Sequence, residues 1–168
     1  RGGLETEAGR AEIDFWKQRL LDLLEQYDTL LCSANELVLE AVLENLAEVQ
    51  SFVEEHLEAA DCPMKAKMQI GVAVEEIFVN IANYAYAPGR GNATVRVEVS
   101  EDPVTVTITF VDNGVPYDPM TKQDPDVTLS AAEREIGGLG IFMTKKIMDD
   151  ISYEYKDGQN ILKLKKKL

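Results

Sequence analysis

The feature that most constrains this chain is a change of hydrophobic period near its middle. From Met64 to Tyr86, "MKAKMQIGVAVEEIFVNIANYAY" spaces its apolar residues as a helix does, and the Pro and Gly cluster "APGRGN" then stops it. Directly afterwards the period becomes two. "ATVRVEVSE" alternates Val95, Val97 and Val99 against Thr94, Arg96 and Glu98, and beyond a turn at "EDP" the stretch "VTVTITFVDNG" alternates again. That pattern predicts a β-hairpin.

The flanking segments extend the picture. "NELVLEAV" reads as a short strand with Leu37 and Leu39 on one face, and "LENLAEVQSFVEEHLEAAD" returns to a helical period. Residues 115–135 hold three prolines and no sustained period, which predicts a long functional loop. "IGGLGIFMTKKIMDDI" opens a helix on glycines, and "SYEYKDGQNILKLKKKL" closes the chain as a hairpin turned at "KDG". Alternating Leu and Lys in that tail suggest an edge strand protected by charge. The predicted fold class is α+β, a two-layer sandwich with a mixed β-sheet and helices on one face. Residues 1–35 form a separate helix and linker, and residues 36–168 the main domain.

The first helix is expected from Glu12 to about Leu31, with Ile13, Trp16, Leu20, Leu23, Leu24, Tyr27 and Leu31 on one stripe. It could pack on the main domain, pair with a second copy, or continue an upstream module. The expected run falls short of the three or four heptads of a convincing coiled coil. The opening "RGGLETEAG" lacks both an initiator Met and an apolar signal core, so upstream sequence is expected.

Composition narrows the function. A net charge of −13 argues against direct nucleic-acid binding, which needs clustered Lys and Arg. No apolar run reaches the roughly 20 residues of a membrane span. Two cysteines, Cys32 and Cys62, and one histidine, His56, make no zinc framework, and free thiols suit a cytoplasmic protein.

Three motifs carry the chemistry. Glu76, Asn80 and Asn83 sit at i, i+4 and i+7 of the long helix, so they share a face. A carboxylate able to take a proton and an amide oxygen offered to a hard cation suit phosphoryl chemistry with a magnesium nucleotide; a solvated helix face is the bland alternative. "FVDNGVPYDP" ends an apolar strand in Asp112-Asn113-Gly114, where the carboxylate can accept a hydrogen bond from an exocyclic amine such as adenine's; a plain turn would look the same. "GGLGIFM" leads glycines into a helix N-terminus, a site for phosphates or equally a hinge. It is neither a Walker A loop nor a dinucleotide-binding fingerprint.

In this order the three motifs resemble the ATP-binding domain shared by gyrase, certain chaperones, histidine kinases and MutL. The wording "EEIFVNIANYAY", "VDNGVPYDP" and "GGLGIFMTKKIMDDISYEY" is most similar to the RsbW-type anti-sigma factor serine/threonine kinases, over about residues 36–168. The resemblance implies a Bergerat-type fold and the cofactors ATP and Mg²⁺. It implies Glu76 as general base, Asn80 as Mg²⁺ ligand, Asp112 and Gly114 at adenine, and Gly138, Leu139 and Gly140 along the phosphates. Its departures are Tyr84, where relatives commonly carry His, and Asn160, the nearest counterpart of a Thr near adenine. Arg134 stands out of register with the lid arginine of some members. The implied partners are a STAS-fold anti-anti-sigma protein and a sigma factor, and a homodimer is the expected assembly.

The expected function is therefore a Mg·ATP-dependent protein serine/threonine kinase in the cytoplasm. Its alternative is a nucleotide-gated binding switch with little turnover. A histidine kinase is disfavoured, because His56 in "VEEHLEA" lies within the ATP-binding domain and not on a dimerisation helix.

Overall fold

The computed structural model describes residues 7–121 and 139–168, without the side chains of residues 7, 8, 28, 29 and 31–33. The chain divides into two compact units, residues 1–35 and 36–168. The first contains α1 (Glu7–Ala34), a single helix of 28 residues. The second runs β1 (Glu36–Glu40), α2 (Leu46–Ala59), α3 (Met64–Asn80), β2 (Asn92–Ser100), β3 (Thr105–Asp112), α4 (Leu139–Ile147), β4 (Asp150–Lys156) and β5 (Gln159–Lys167).

Punctuation in the sequence decides where these elements begin and end. Asp61 takes a left-handed backbone, φ 50°, just past α2, and the Cys62 N–H reaches back to the Leu57 carbonyl at 2.9 Å. Pro63, extended at φ −59° and ψ 143°, then starts α3. The β4–β5 hairpin turns on Asp157 and Gly158, whose φ of 54° and 80° match the tight turn that "KDG" predicts.

The five strands lie in the order β1-β2-β3-β5-β4. Every pairing is antiparallel, where the sequence pointed to a mixed sheet. The reason is topological. The connection through α4 lets β4 run in the direction of β3, but β5 folds back between them and pairs antiparallel with both.

That insertion also corrects the expected edge strand. β5 is interior, and its Leu162 and Leu164 are buried on one face. Lys163 and Lys165 alternate onto the other face, where Lys165 meets Asp150 at 3.6 Å. Lys166 points with the leucines, and its Nζ donates to the Ile147 carbonyl at 2.7 Å, a favourable place for a cation at the end of α4.

One sheet face is continuous apolar surface. Registration places Leu37, Val95, Phe110, Leu162 and Tyr153 in one cross-strand row, and Val97, Ile108, Leu164 and Ile151 in the next. Against it pack Val49, Val53 and Leu57 of α2 and Ile70, Val74, Ile77 and Phe78 of α3, all buried at helical spacing. The layered arrangement expected from the period switch is thus the one observed.

Phe110 is 1 % exposed in the middle of that row. Phe110→Ala should destabilise residues 36–168 by about 3–5 kcal/mol, measured as a lowered urea midpoint. Lys163→Ala, on the opposite face, should shift stability by no more than about 0.5 kcal/mol.

Candidate nucleotide site

Beyond the Phe110 row lies a third row, in which Leu39, Ala93, Asp112, Asn160 and Tyr155 register across the sheet. Its centre is polar. Asp112 is 5 % exposed and Asn160 6 %, so each needs partners. Asn160 Nδ2 donates to Asp112 Oδ1 at 2.9 Å, and the Gly114 N–H donates to the same oxygen at 2.9 Å. Both bonds from described residues fall on Oδ1, which leaves Oδ2 for an amine donor.

Asn160 is itself held from several sides. Its Oδ1 accepts from the Tyr153 hydroxyl at 2.6 Å and the Tyr117 N–H at 3.2 Å, and its Nδ2 also reaches the Val115 carbonyl at 3.1 Å. These bonds fix which way the amide faces and hence the donor it presents to Asp112. Burial pushes the Tyr153 phenol above its ordinary pKa; the Tyr117 backbone bond opposes this, and the Asp118 and Asp112 charges add to it.

The Asp112 end of β3 is stitched to the end of α3. The Val115 N–H donates to the Ala85 carbonyl at 2.8 Å. A Cβ on Gly114 would lie 2.2 Å from that carbonyl oxygen, so glycine is what this approach requires. The Tyr86 hydroxyl donates to the Asn92 carbonyl at 2.5 Å and accepts from the Asn113 N–H at 2.8 Å, closing the same corner.

α3 continues directly into a π-helical turn, Ile81–Ala85. The wider turn breaks the i, i+4, i+7 register expected for the polar face. Asn80, Tyr84 and Ala85 line the cavity, whereas Asn83 is exposed and does not. Tyr84 is 66 % exposed at the rim.

The cavity has a volume of about 490 Å³, within the range of small-molecule sites. Asn80, Asp112 and Asn160 supply its polar groups, and Ile77, Ile81, Val115, Ile141 and Leu162 its apolar walls. An apolar slot with a buried carboxylate at its floor suits a flat heteroaromatic base bearing an amine.

One turn before Asn80 is Glu76. Asn80 Nδ2 donates to the Glu76 carboxylate at 2.8 Å and to the Glu76 backbone carbonyl at 2.7 Å. With its amide hydrogens so engaged, Asn80 has its oxygen left to offer, the donor type that Mg²⁺ takes while keeping waters. Gly140, in the first turn of α4, closes over Glu76: a Cβ there would fall 1.9–2.1 Å from the carboxylate atoms. The glycine-rich helix start and the glutamate therefore meet directly. Glu75, one residue earlier, is exposed and reaches Gln50 at 3.3 Å.

Of the residues singled out in the sequence, Glu76 with Asn80 and Gly140 forms one cluster, and Asp112 with Gly114 and Asn160 another. Leu139 is 46 % exposed and outside the cavity lining. Gly138 and Arg134 lie outside the described residues. Sequence reasoning missed Tyr153 and the Tyr117 N–H; counting back from the Asp157-Gly158 turn would have set Tyr153 diagonal to Asn160.

Two substitutions test this geometry. Asp112→Ala should weaken binding of a fluorescent ATP analogue about 10–100-fold, since losing the partner of a buried donor costs about 1–3 kcal/mol. Gly140→Ala should displace the Glu76 carboxylate while sparing the Asp112 cluster. Analogue affinity is then expected to change less than fivefold while any ATP turnover falls by at least about tenfold.

A family model for the histidine kinase-like ATPase domain matches residues 39–166. Serine/threonine-protein kinase BtrW of Bordetella bronchiseptica is 27 % identical over 100 residues, 60 % of this chain and 70 % of the relative. Serine-protein kinase RsbW of Listeria monocytogenes is 31 % identical over 99 residues, 56 % of this chain. The chain spans 62 % of that relative's length. The crystal structure of the RsbU and RsbW domains of Rv1364c from Mycobacterium tuberculosis aligns with a TM-score of 0.56 at 16 % identity, over 79 % of this chain and 32 % of that one. The SiaB-SiaC complex of Pseudomonas aeruginosa aligns with a TM-score of 0.50 at 18 % identity, over 89 % and 98 %. At such identities the structural likeness speaks for the fold, while the family match covers most of the residues that build the cavity. The chain belongs to the histidine kinase-like ATPase domain family, and the curated proteins it resembles are serine-protein kinases of the RsbW type.

Proposed function

We propose that the protein is a Mg·ATP-dependent serine/threonine protein kinase of the anti-sigma factor type. Its substrate is an anti-anti-sigma protein of the STAS fold, its second partner a sigma factor, and it acts in the cytoplasm as a homodimer. The observation that carries the reading is the Glu76 carboxylate held 2.8 Å from the Asn80 amide and directly under Gly140. A binding module has no need of a carboxylate so placed.

Each residue then has a task. Asp112, oriented by Asn160 and the Gly114 N–H, accepts the exocyclic amine of adenine and sets the depth of the base. Ile77, Ile81, Ile141 and Leu162 exclude water around it. Asn80 would hold the metal through its amide oxygen. Glu76, steadied by the Asn80 amide, takes the proton from the attacking hydroxyl of the partner protein. Bound Mg²⁺ would supply neutralisation of the phosphate charge during transfer. Gly140 lets the first turn of α4 come down on the carboxylate without a side chain between them. A chain of net charge −13 favours a partner with a basic docking face.

Incubation with Mg²⁺, labelled ATP and a candidate STAS-fold partner should give a phosphorylated partner. Glu76→Ala should bind nucleotide with near-unchanged affinity and transfer phosphate about 10²–10⁴-fold more slowly. If both proteins bind nucleotide and neither labels any partner, the kinase reading fails and a nucleotide-gated switch replaces it.

A further inference from the structure

The helix α1 holds none of the residues assigned to the ATP site. It runs eight residues further than the 20 that its apolar stripe predicts, from Glu7 to Ala34. At 1.5 Å per residue that is about 42 Å of helix. Among the described residues, the first unit contains this one helix. Ile13, Trp16, Leu20, Leu23, Leu24 and Tyr27 are each between 48 % and 61 % exposed. A bare helix of this kind is marginal in water, and its stability comes from covering the apolar face.

Its spacing says what covers it. Ile13, Leu20, Tyr27 and Ala34 recur every seven residues, and Trp16, Leu23 and Leu30 recur every seven between them. The expected run stopped at Leu31, inside the third heptad, and the observed helix completes that heptad and reaches the next a position at Ala34. An apolar residue at every a and d position is what a two-helix supercoil requires; Leu24 at e widens the seam, and Phe15 and Leu21, exposed at 63 % and 59 %, lie outside it. In the same frame Glu12 takes a g position and Lys17 the following e position, both exposed. A parallel, in-register pair sets Glu12 of one copy opposite Lys17 of the other, an attractive contact at each flank.

The area is sufficient. With large apolar side chains presenting about 200 Å² each, the exposed a, d and e residues offer about 800 Å² per copy, and about 1,600 Å² per pair is the size of a standard stable interface.

We propose that α1 is the dimerisation surface of this protein, pairing with α1 of a second copy as a parallel, in-register coiled coil through Ile13, Trp16, Leu20, Leu23, Tyr27 and Leu30. The inference rests on the homodimer stated above and adds the surface that makes it. Asn35 alone separates α1 from β1, so such a pair links two copies of residues 36–168.

The test uses the full chain. Sedimentation equilibrium should give twice the chain mass of 18.7 kDa, and Leu20→Asp with Leu23→Asp should reduce it to the single-chain value. Binding of an ATP analogue should be retained by that variant, which shows that residues 36–168 remain folded. In a Cys32→Ser background, Ile13→Cys should oxidise to a disulfide-linked dimer, because matching a positions approach closely in a parallel pair. An antiparallel pair would hold the two residues 13 about 25 Å apart. Single-chain mass for the unmodified protein overturns both the homodimer and the coil. A dimer that survives the Leu20 and Leu23 substitutions overturns the coil alone. A dimer that dissociates on those substitutions yet gives no cross-link at position 13 overturns the parallel register.

Discussion

The site is organised around a carboxylate placed where carboxylates are costly. Asp112 sits at the end of β3, in the middle of the third cross-strand row and 5 % exposed, and would lose several kcal/mol of hydration without compensation. Asn160 and the Gly114 N–H compensate it on a single oxygen. That arrangement exists only because β5 inserts between β3 and β4, which brings residue 160 into register with residue 112. Sheet order and ligand chemistry are thus one constraint: a β4 strand beside β3 would leave the carboxylate without its amide.

The second constraint is close backbone approach. Gly114 lies against the Ala85 carbonyl and Gly140 against the Glu76 carboxylate, both at distances that exclude a Cβ. The first contact joins the strand end to the π-helical turn, which aims Tyr84 and Ala85 at the cavity in place of Asn83. The second brings the start of α4 onto the candidate base. One set of glycines therefore joins the two clusters of the site to the elements around them, and the apolar cavity walls span the space between the clusters.

Much of this was legible in residue order. Alternation in residues 92–112 and helical spacing in residues 64–86 are local properties, and they named α3, β2 and β3 with their inward faces. Glu76 with Asn80, and Asp112 with Gly114, were legible as pairs because each pair is close in sequence. Asn83 was placed on the same face by an ideal helical period, and a π-helical turn of five residues moved it out. The Lys-rich tail looked like an edge because side-chain alternation reports which face a residue takes, never which strand lies beside it.

The sequence by itself determined the period of each element, the turns that end them, and the apolar a and d frame of α1, because these depend on neighbours within a few residues along the chain. Only the tertiary structure decided that β5 is interior, that Asn160 faces Asp112, and that Gly140 meets Glu76. Those contacts join residues 48 and 64 positions apart, and their geometry follows from how whole layers pack.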